Sequence, residues 1–132
     1  MPDAIGLDTS IVVRLLCGEP RELTEKATQL IKESFHNNID CLVSDYVVME
    51  AYFVLTHHYD VPKKEAAEQL NNFLCSGMVK PLGIAQEILR DLREKGPGIV
   101  DRFIRMDYLN TTKTIYTFDK TFSRMVHVKL LE

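Results

Sequence analysis

An α/β fold, one domain over residues 1–132 with a central parallel sheet of four to five strands flanked by helices, is what this sequence predicts. Three observations carry the prediction. Short apolar runs alternate with longer stretches whose apolar residues recur at helical spacing, so strands and helices take turns along the chain. A length of 132 residues suits one domain and leaves little room for a second. No repeat, low-complexity tract or linker interrupts the pattern.

Residues 4–7 are apolar as far as Asp8 and read as a buried strand. Thr9 or Ser10 then supplies an N-cap for a short helix over residues 11–16, which Gly18 and Pro20 break. Leu23, Ala27, Leu30 and Ile31 mark an amphipathic helix from Arg21 to about Asn37. Cys41, Leu42 and Val43 form a second buried strand. After Ser44, a helix presents Val47, Val48, Ala51, Tyr52, Val54 and Leu55 on one broad face and runs to His58 or Tyr59. Pro62 stands in the first turn of the next helix, where its missing N–H is tolerated. That helix carries Ala66, Ala67, Leu70, Phe73 and Leu74 and closes at Gly77. Met78, Val79 and Leu82 make a weaker strand. Ile88, Leu89 and Leu92 predict a helix over residues 84–95, and Gly96, Pro97 and Gly98 break the chain sharply. A helix over residues 99–109 follows. The β-branched run at residues 114–117 is a strand, with Asp119 just beyond it, and a last short strand covers residues 126–130.

A composition of 45% hydrophobic and 27% charged residues supports a packed core without a metal or disulfide staple. The longest apolar runs fall far short of the roughly 20 residues that span a bilayer. Asp3 near the N-terminus, with no basic stretch ahead of an apolar segment, argues against a secretory signal. A cytoplasmic protein with no membrane partner is expected. Cys17, Cys41 and Cys75 are odd in number, far apart and free of any C-x-x-C pair, which predicts reduced thiols rather than disulfides or a zinc site. The net charge of −3 runs against a protein that grips nucleic acid by charge alone. A pocket that concentrates carboxylates around a cation would reconcile the two.

The acids fall where such a pocket forms. In open parallel sheets, sites lie beyond the carboxyl ends of strands, and Asp8 and Asp119 both stand just past a strand. Glu50 lies between Val47 and Val54 on a largely apolar helix. Asp101 follows Val100 in a first helical turn, where the dipole favours a carboxylate. Singly, each has a plain structural explanation as a cap, a turn residue or a solvated side chain. Together they make four carboxylates that repel one another unless protonated or neutralised by a cation. Hard oxygen donors suit Mg²⁺ or Mn²⁺, and the chemistry that uses such a set is metal-assisted hydrolysis of a phosphodiester.

These motifs resemble those of PIN domains. Gly6-Leu7-Asp8-Thr9-Ser10 before Ile11-Val12-Val13 is similar to the family's opening strand. Ser44-Asp45-Tyr46-Val47-Val48-Met49-Glu50 is similar to its second motif, Ile99-Val100-Asp101 to its third, and Ile115-Tyr116-Thr117-Phe118-Asp119-Lys120 to its fourth. Length and element order resemble the VapC-type toxins of toxin–antitoxin pairs. The resemblance implies a metal-dependent endoribonuclease with Asp8, Glu50, Asp101 and Asp119 as catalytic, metal-binding acids. Thr9 or Ser10 and Thr117 would hydrogen-bond to them or to bound water. It further implies Mg²⁺ or Mn²⁺, an RNA substrate that is single-stranded or looped, a homodimer, and an antitoxin seated on an apolar groove of the hairpin from Asp45 to Ser76. Two departures stand out. Thr121 and Phe122 occupy a stretch where many relatives carry another acid, and the helix after Asp101 is bulkier and more charged than usual. Asp107, six residues on, lies about 600° around that helix and faces away.

Other residues read more plainly. His57 and His58 are adjacent in a helix and cannot easily aim at one ion; near a helix C-terminus they suit a structural role. Lys120 and Arg124 could meet RNA phosphates or simply face solvent, and Lys63 and Lys64 read as a solvated helix start. Competing functions keep the same acids: cleavage of DNA ends or flaps, a nuclease of RNA processing, or a silent RNA-binding module. A signalling receiver domain fits poorly, because Ser44 and Thr117 stand where it needs an Asp and a Lys.

Overall fold

Burial alternates along β2 (Asp40–Val43), with Cys41 and Val43 sunk in the core. That strand is the middle of a parallel three-stranded ladder. β1 (Ala4–Gly6) pairs Ile5 with Cys41 on one side, and β3 (Lys80–Pro81) pairs Val43 with Pro81 on the other. Proline has no N–H for a ladder, so it suits the outer strand. The structure, a computed structural model, describes residues 3–93 and 95–132.

Helices fill the crossovers, as parallel strands require. Between β1 and β2 run α1 (Thr9–Cys17) and α2 (Arg21–His36). Between β2 and β3 run α3 (Asp45–Phe53), a π-helical segment (Val54–His58) and α4 (Lys63–Leu74). α5 (Ala85–Asp91) and α6 (Ile99–Leu109) then lead to β4 (Ile115–Thr117). A 3₁₀ turn (Phe122–Arg124) and β5 (Val128–Leu130) complete the order. The main core joins Val12 and Val13 of α1, Val48 and Ala51 of α3, and Ala66 and Leu70 of α4, each almost without solvent contact.

The α/β class and the parallel strands flanked by helices are as expected, with five strands present. They form two ladders rather than one: β4 pairs in parallel with β5, over a small cluster of Ile115, Phe122 and Val128. The strand predicted as buried at residues 4–7 is an edge of its ladder, so Ala4 and Gly6 are exposed and only Leu7 is buried.

One helix keeps its expected end at His58 but changes its winding, and two other boundaries moved. The helix after Ser44 turns π-helical at Val54, where the Thr56 hydroxyl donates to the carbonyls of Tyr52 (3.0 Å) and Phe53 (3.4 Å) and competes with the regular ladder. The Tyr59 N–H then bonds five residues back to Val54 O. The third strand is short, Lys80–Pro81 within the expected span from Met78 to Leu82, and the Leu82 N–H donates to Val43 O at 3.0 Å just beyond it. The helix predicted over residues 84–95 ends at Asp91; Leu92 turns extended and packs on the core, and residue 94 of that prediction lies outside the described residues. All three cysteines are free thiols, and burial pushes the Cys17 thiol up against the opposing pull of Arg14. Among the described residues no helix is long and apolar enough to cross a membrane.

Candidate active site

Asp8 follows β1 and occupies the N-cap position of α1, yet its carboxylate takes no cap bond from the helix. Among the described residues it accepts only from the Ser10 hydroxyl, at 3.5 Å. The carboxylate is exposed and so remains open to an outside partner. Glu50 comes from the exposed side of α3 and lines the same cleft, of about 360 Å³, with Asp8, Thr9 and Ser10. The Ser44 hydroxyl starts α3 by accepting from the Val47 N–H at 3.3 Å. Asp45 then reaches across to accept from the N–H groups of Ile84 (3.3 Å) and Ala85 (3.2 Å), capping the next helix but one. Asp45 thus serves two helix starts.

The other two acids are close enough for the charge of one to act on the other. Asp101 sits in the first turn of α6, and burial, with the charge of Asp119 second, holds its carboxyl above the usual carboxylate range. Asp119 follows β4 and is tied at both ends. Its N–H donates to Thr117 Oγ1 at 3.0 Å, and its Oδ1 accepts from the Phe122 N–H at 3.0 Å. One carboxylate oxygen is thereby spent on a turn, leaving Oδ2 for other work.

The structure therefore brings the four acids together as two pairs, Asp8 with Glu50 and Asp101 with Asp119. Among the described residues no three Asp, Glu, His or Cys side chains stand close enough to share one ion, so the expected convergence of all four on a point is not what the coordinates give. Between the pairs lies a ring stack, Phe53 on His57, which lines both the groove reaching Glu50 and the cleft reaching Asp101. The donor chemistry still suits a hard divalent cation. Carboxylate oxygens are its preferred ligands, and the repulsion between Asp101 and Asp119 is what such an ion offsets.

Sequence reasoning missed several neighbours of these acids. Arg14, His58 and Tyr59 line the Asp8–Glu50 cleft, and Arg14 Nε is buried with no hydrogen-bond partner among the described residues. Lys63, expected only as a solvated helix start, lines the Asp101 cleft together with Arg93. The i, i+4, i+8 spacing of Glu50, Val54 and His58 was a legible signal for the first group. Nothing in the sequence foretold the second. Lys120 and Arg124 are exposed, and Asp107 lines a different groove, with Asp45 and Tyr46.

A parallel α/β fold with Asp8 and Asp119 just past its strands places carboxylates where folds of this class bind their ligands. The PIN domain model matches residues 5–128, and the chain belongs to the PIN domain family. PIN domains are in general nucleases that use divalent metals. A comparison with curated proteins finds no match.

Proposed function

We propose that this protein is a divalent-metal-dependent endoribonuclease that hydrolyses RNA phosphodiester bonds, acting as the toxin of a type II toxin–antitoxin pair. The supporting observation is the pairing of acids from distant parts of the chain: Asp8 shares a cleft with Glu50, and Asp101 feels the charge of Asp119. The length and motif order that resemble VapC-type toxins support the finer reading, with a homodimer, an antitoxin partner and a cytoplasmic setting.

The two pairs, Asp8 with Glu50 and Asp101 with Asp119, would each offer carboxylate oxygens to Mg²⁺ or Mn²⁺, which when bound supplies charge neutralisation at the phosphate and activation of the attacking water. The chain's own part is positioning. Ser10 steadies Asp8, while Thr117 Oγ1 and the Phe122 N–H fix Asp119 so that its free oxygen has one direction. Thr9 is buried in the wall of the same cleft, next to Asp8. Attack by water leaves a 5′-phosphate and a 3′-hydroxyl.

Labelled RNA and DNA of equal sequence, incubated with Mn²⁺, test the reading. Cleavage of RNA that stops in excess chelator, and in Asp8→Ala or Asp119→Asn, is expected. Activity that persists in those variants or in chelator would sink it. Cleavage of DNA alone would move the substrate to DNA. Tight RNA binding without cleavage would make this PIN domain a binding module.

A further inference from the structure

Between the two acid pairs the surface changes character. Phe53 and His57, one turn apart where α3 meets the π-helical segment, are both exposed, with ring centroids 5.7 Å apart and planes 27° from parallel. On one side they open onto a groove of about 690 Å³ that also touches Tyr46, Met49 and Glu50. On the other they open onto a cleft of about 230 Å³ where Lys63 and Arg93 stand with Asp101. Among the described residues neither Lys63 nor Arg93 is ion-paired.

An apolar partner helix fits this surface badly, since it would bury two cations and two acids without partners. A nucleotide has the matching chemistry. Its base offers a flat π face to an aromatic stack, and its phosphate offers an anion to unpaired cations. We infer that Phe53 and His57 form a stacking platform for an unpaired base of a single-stranded RNA, with Lys63 and Arg93 holding an adjoining phosphate. The strand thereby lies across the helix with one acid pair at each side. A duplex keeps its bases stacked on each other and presents no free face, so the platform selects unpaired RNA. The inference rests on the acids being the cleavage site, and it names how that site takes hold of its substrate.

The test uses the full chain. In an Asp119→Asn background with Mg²⁺, binding of a short, unstructured, labelled RNA is measured by fluorescence anisotropy. Phe53→Leu keeps an apolar side chain on an exposed position but removes the ring; it is expected to weaken binding about 5- to 150-fold. Joint replacement of Lys63 and Arg93 by Ala should flatten the slope of log affinity against log salt by about 1.4. In the otherwise unmodified enzyme, Phe53→Leu should raise KM and leave kcat in place. Equal binding by Phe53→Leu, or a duplex bound as tightly as the single strand, overturns the platform. So does a Phe53→Leu variant that keeps RNA affinity but loses self-association in sedimentation, because the face would then be a contact between copies. Should Asp119→Asn still cut RNA, the assignment of the acids fails by itself, and an unchanged KM in Phe53→Leu then decides against the platform separately.

Discussion

Asp101 destabilises the folded chain, and replacing it should make the protein more stable as well as inactive. Burial and the charge of Asp119 hold its carboxyl above the ordinary range, so the ionised form is disfavoured in the fold relative to the unfolded chain. The sign follows. Below the ordinary carboxylate range both states carry the proton and there is no penalty. As pH rises through the raised folded value, the folded state must give up a proton it holds better than the unfolded chain does, and stability falls. Asp101→Asn removes that loss. The site is partly solvated, so the gain at neutral pH stays under about 1 kcal/mol after screening. For 132 residues that is a rise of at most about 4 °C in Tm.

The two causes separate experimentally. Thermal unfolding in chelator, at neutral pH and near pH 3, should show the gain at the first and not at the second. Molar salt screens the contribution of Asp119 but not that of burial, the larger cause, so most of the gain should survive it. Asp119→Asn alone should give a smaller gain, and adding it to Asp101→Asn should give none further, because the repulsion is already gone. Excess Mn²⁺ should stabilise the natural chain, by about 2.7 kcal/mol at a hundredfold excess over Kd, and stabilise Asp101→Asn much less. A variant less stable than the natural chain at neutral pH, or equally shifted at both pH values, refutes this account of Asp101.

Three further outcomes test other parts of the structure. A Cβ on Gly83 would lie 2.6 Å from Asp45 Cγ and 2.7 Å from its Oδ1, so Gly83→Ala should displace the cap of α5 and cost about 0.5–2 kcal/mol in urea unfolding. Asp45→Ala should cost a similar amount, and the double variant little more. Leu70→Ala empties a fully buried position and should cost about 2–5 kcal/mol, a large share of a typical 5–15, read from the same unfolding curves. Asp119→Ala should lose about 1 kcal/mol that Asp119→Asn retains, because an amide oxygen can still accept from the Phe122 N–H; equal Tm values for the two would contradict that bond.

Helices and short strands alike were legible in place from apolar spacing and β-branched runs; irregular winding and the partners of strands were not. α6 runs over the residues its apolar spacing marked, and α2 differs by one residue at its end. The π-helical segment was invisible because its cause is a single hydroxyl, Thr56, bonding to backbone rather than any change in apolar pattern. The separation of β4 and β5 from the other strands was equally hidden, since a three-residue strand carries no information about its partner. At the site, the acids announced themselves by standing just past strands or on an apolar helix. Their grouping into pairs did not, because it depends on where α3 and α6 sit against each other. His58 was signalled by its spacing from Glu50, whereas Arg14, Lys63 and Arg93 gained their place beside the acids only once the helices were positioned.

The acidic balance of the chain also reads differently with the site in view. Of nineteen acids, four are the candidate ligands, and the remaining fifteen face sixteen bases. Apart from its site, then, the protein is close to neutral and has no field strong enough to draw in RNA from a distance. Affinity must come from local contacts: two cations beside Asp101 and a ring stack beside Glu50. Such a binder should show a shallow salt dependence, with a slope of about 1.4 from two phosphate-directed cations, against the slopes near 10 of proteins that hold nucleic acid by charge. Should replacing Lys63 and Arg93 leave the slope unchanged while replacing the exposed Lys120 and Arg124 flattens it by that amount, the RNA track would run beside Asp119 instead of across the face of α3.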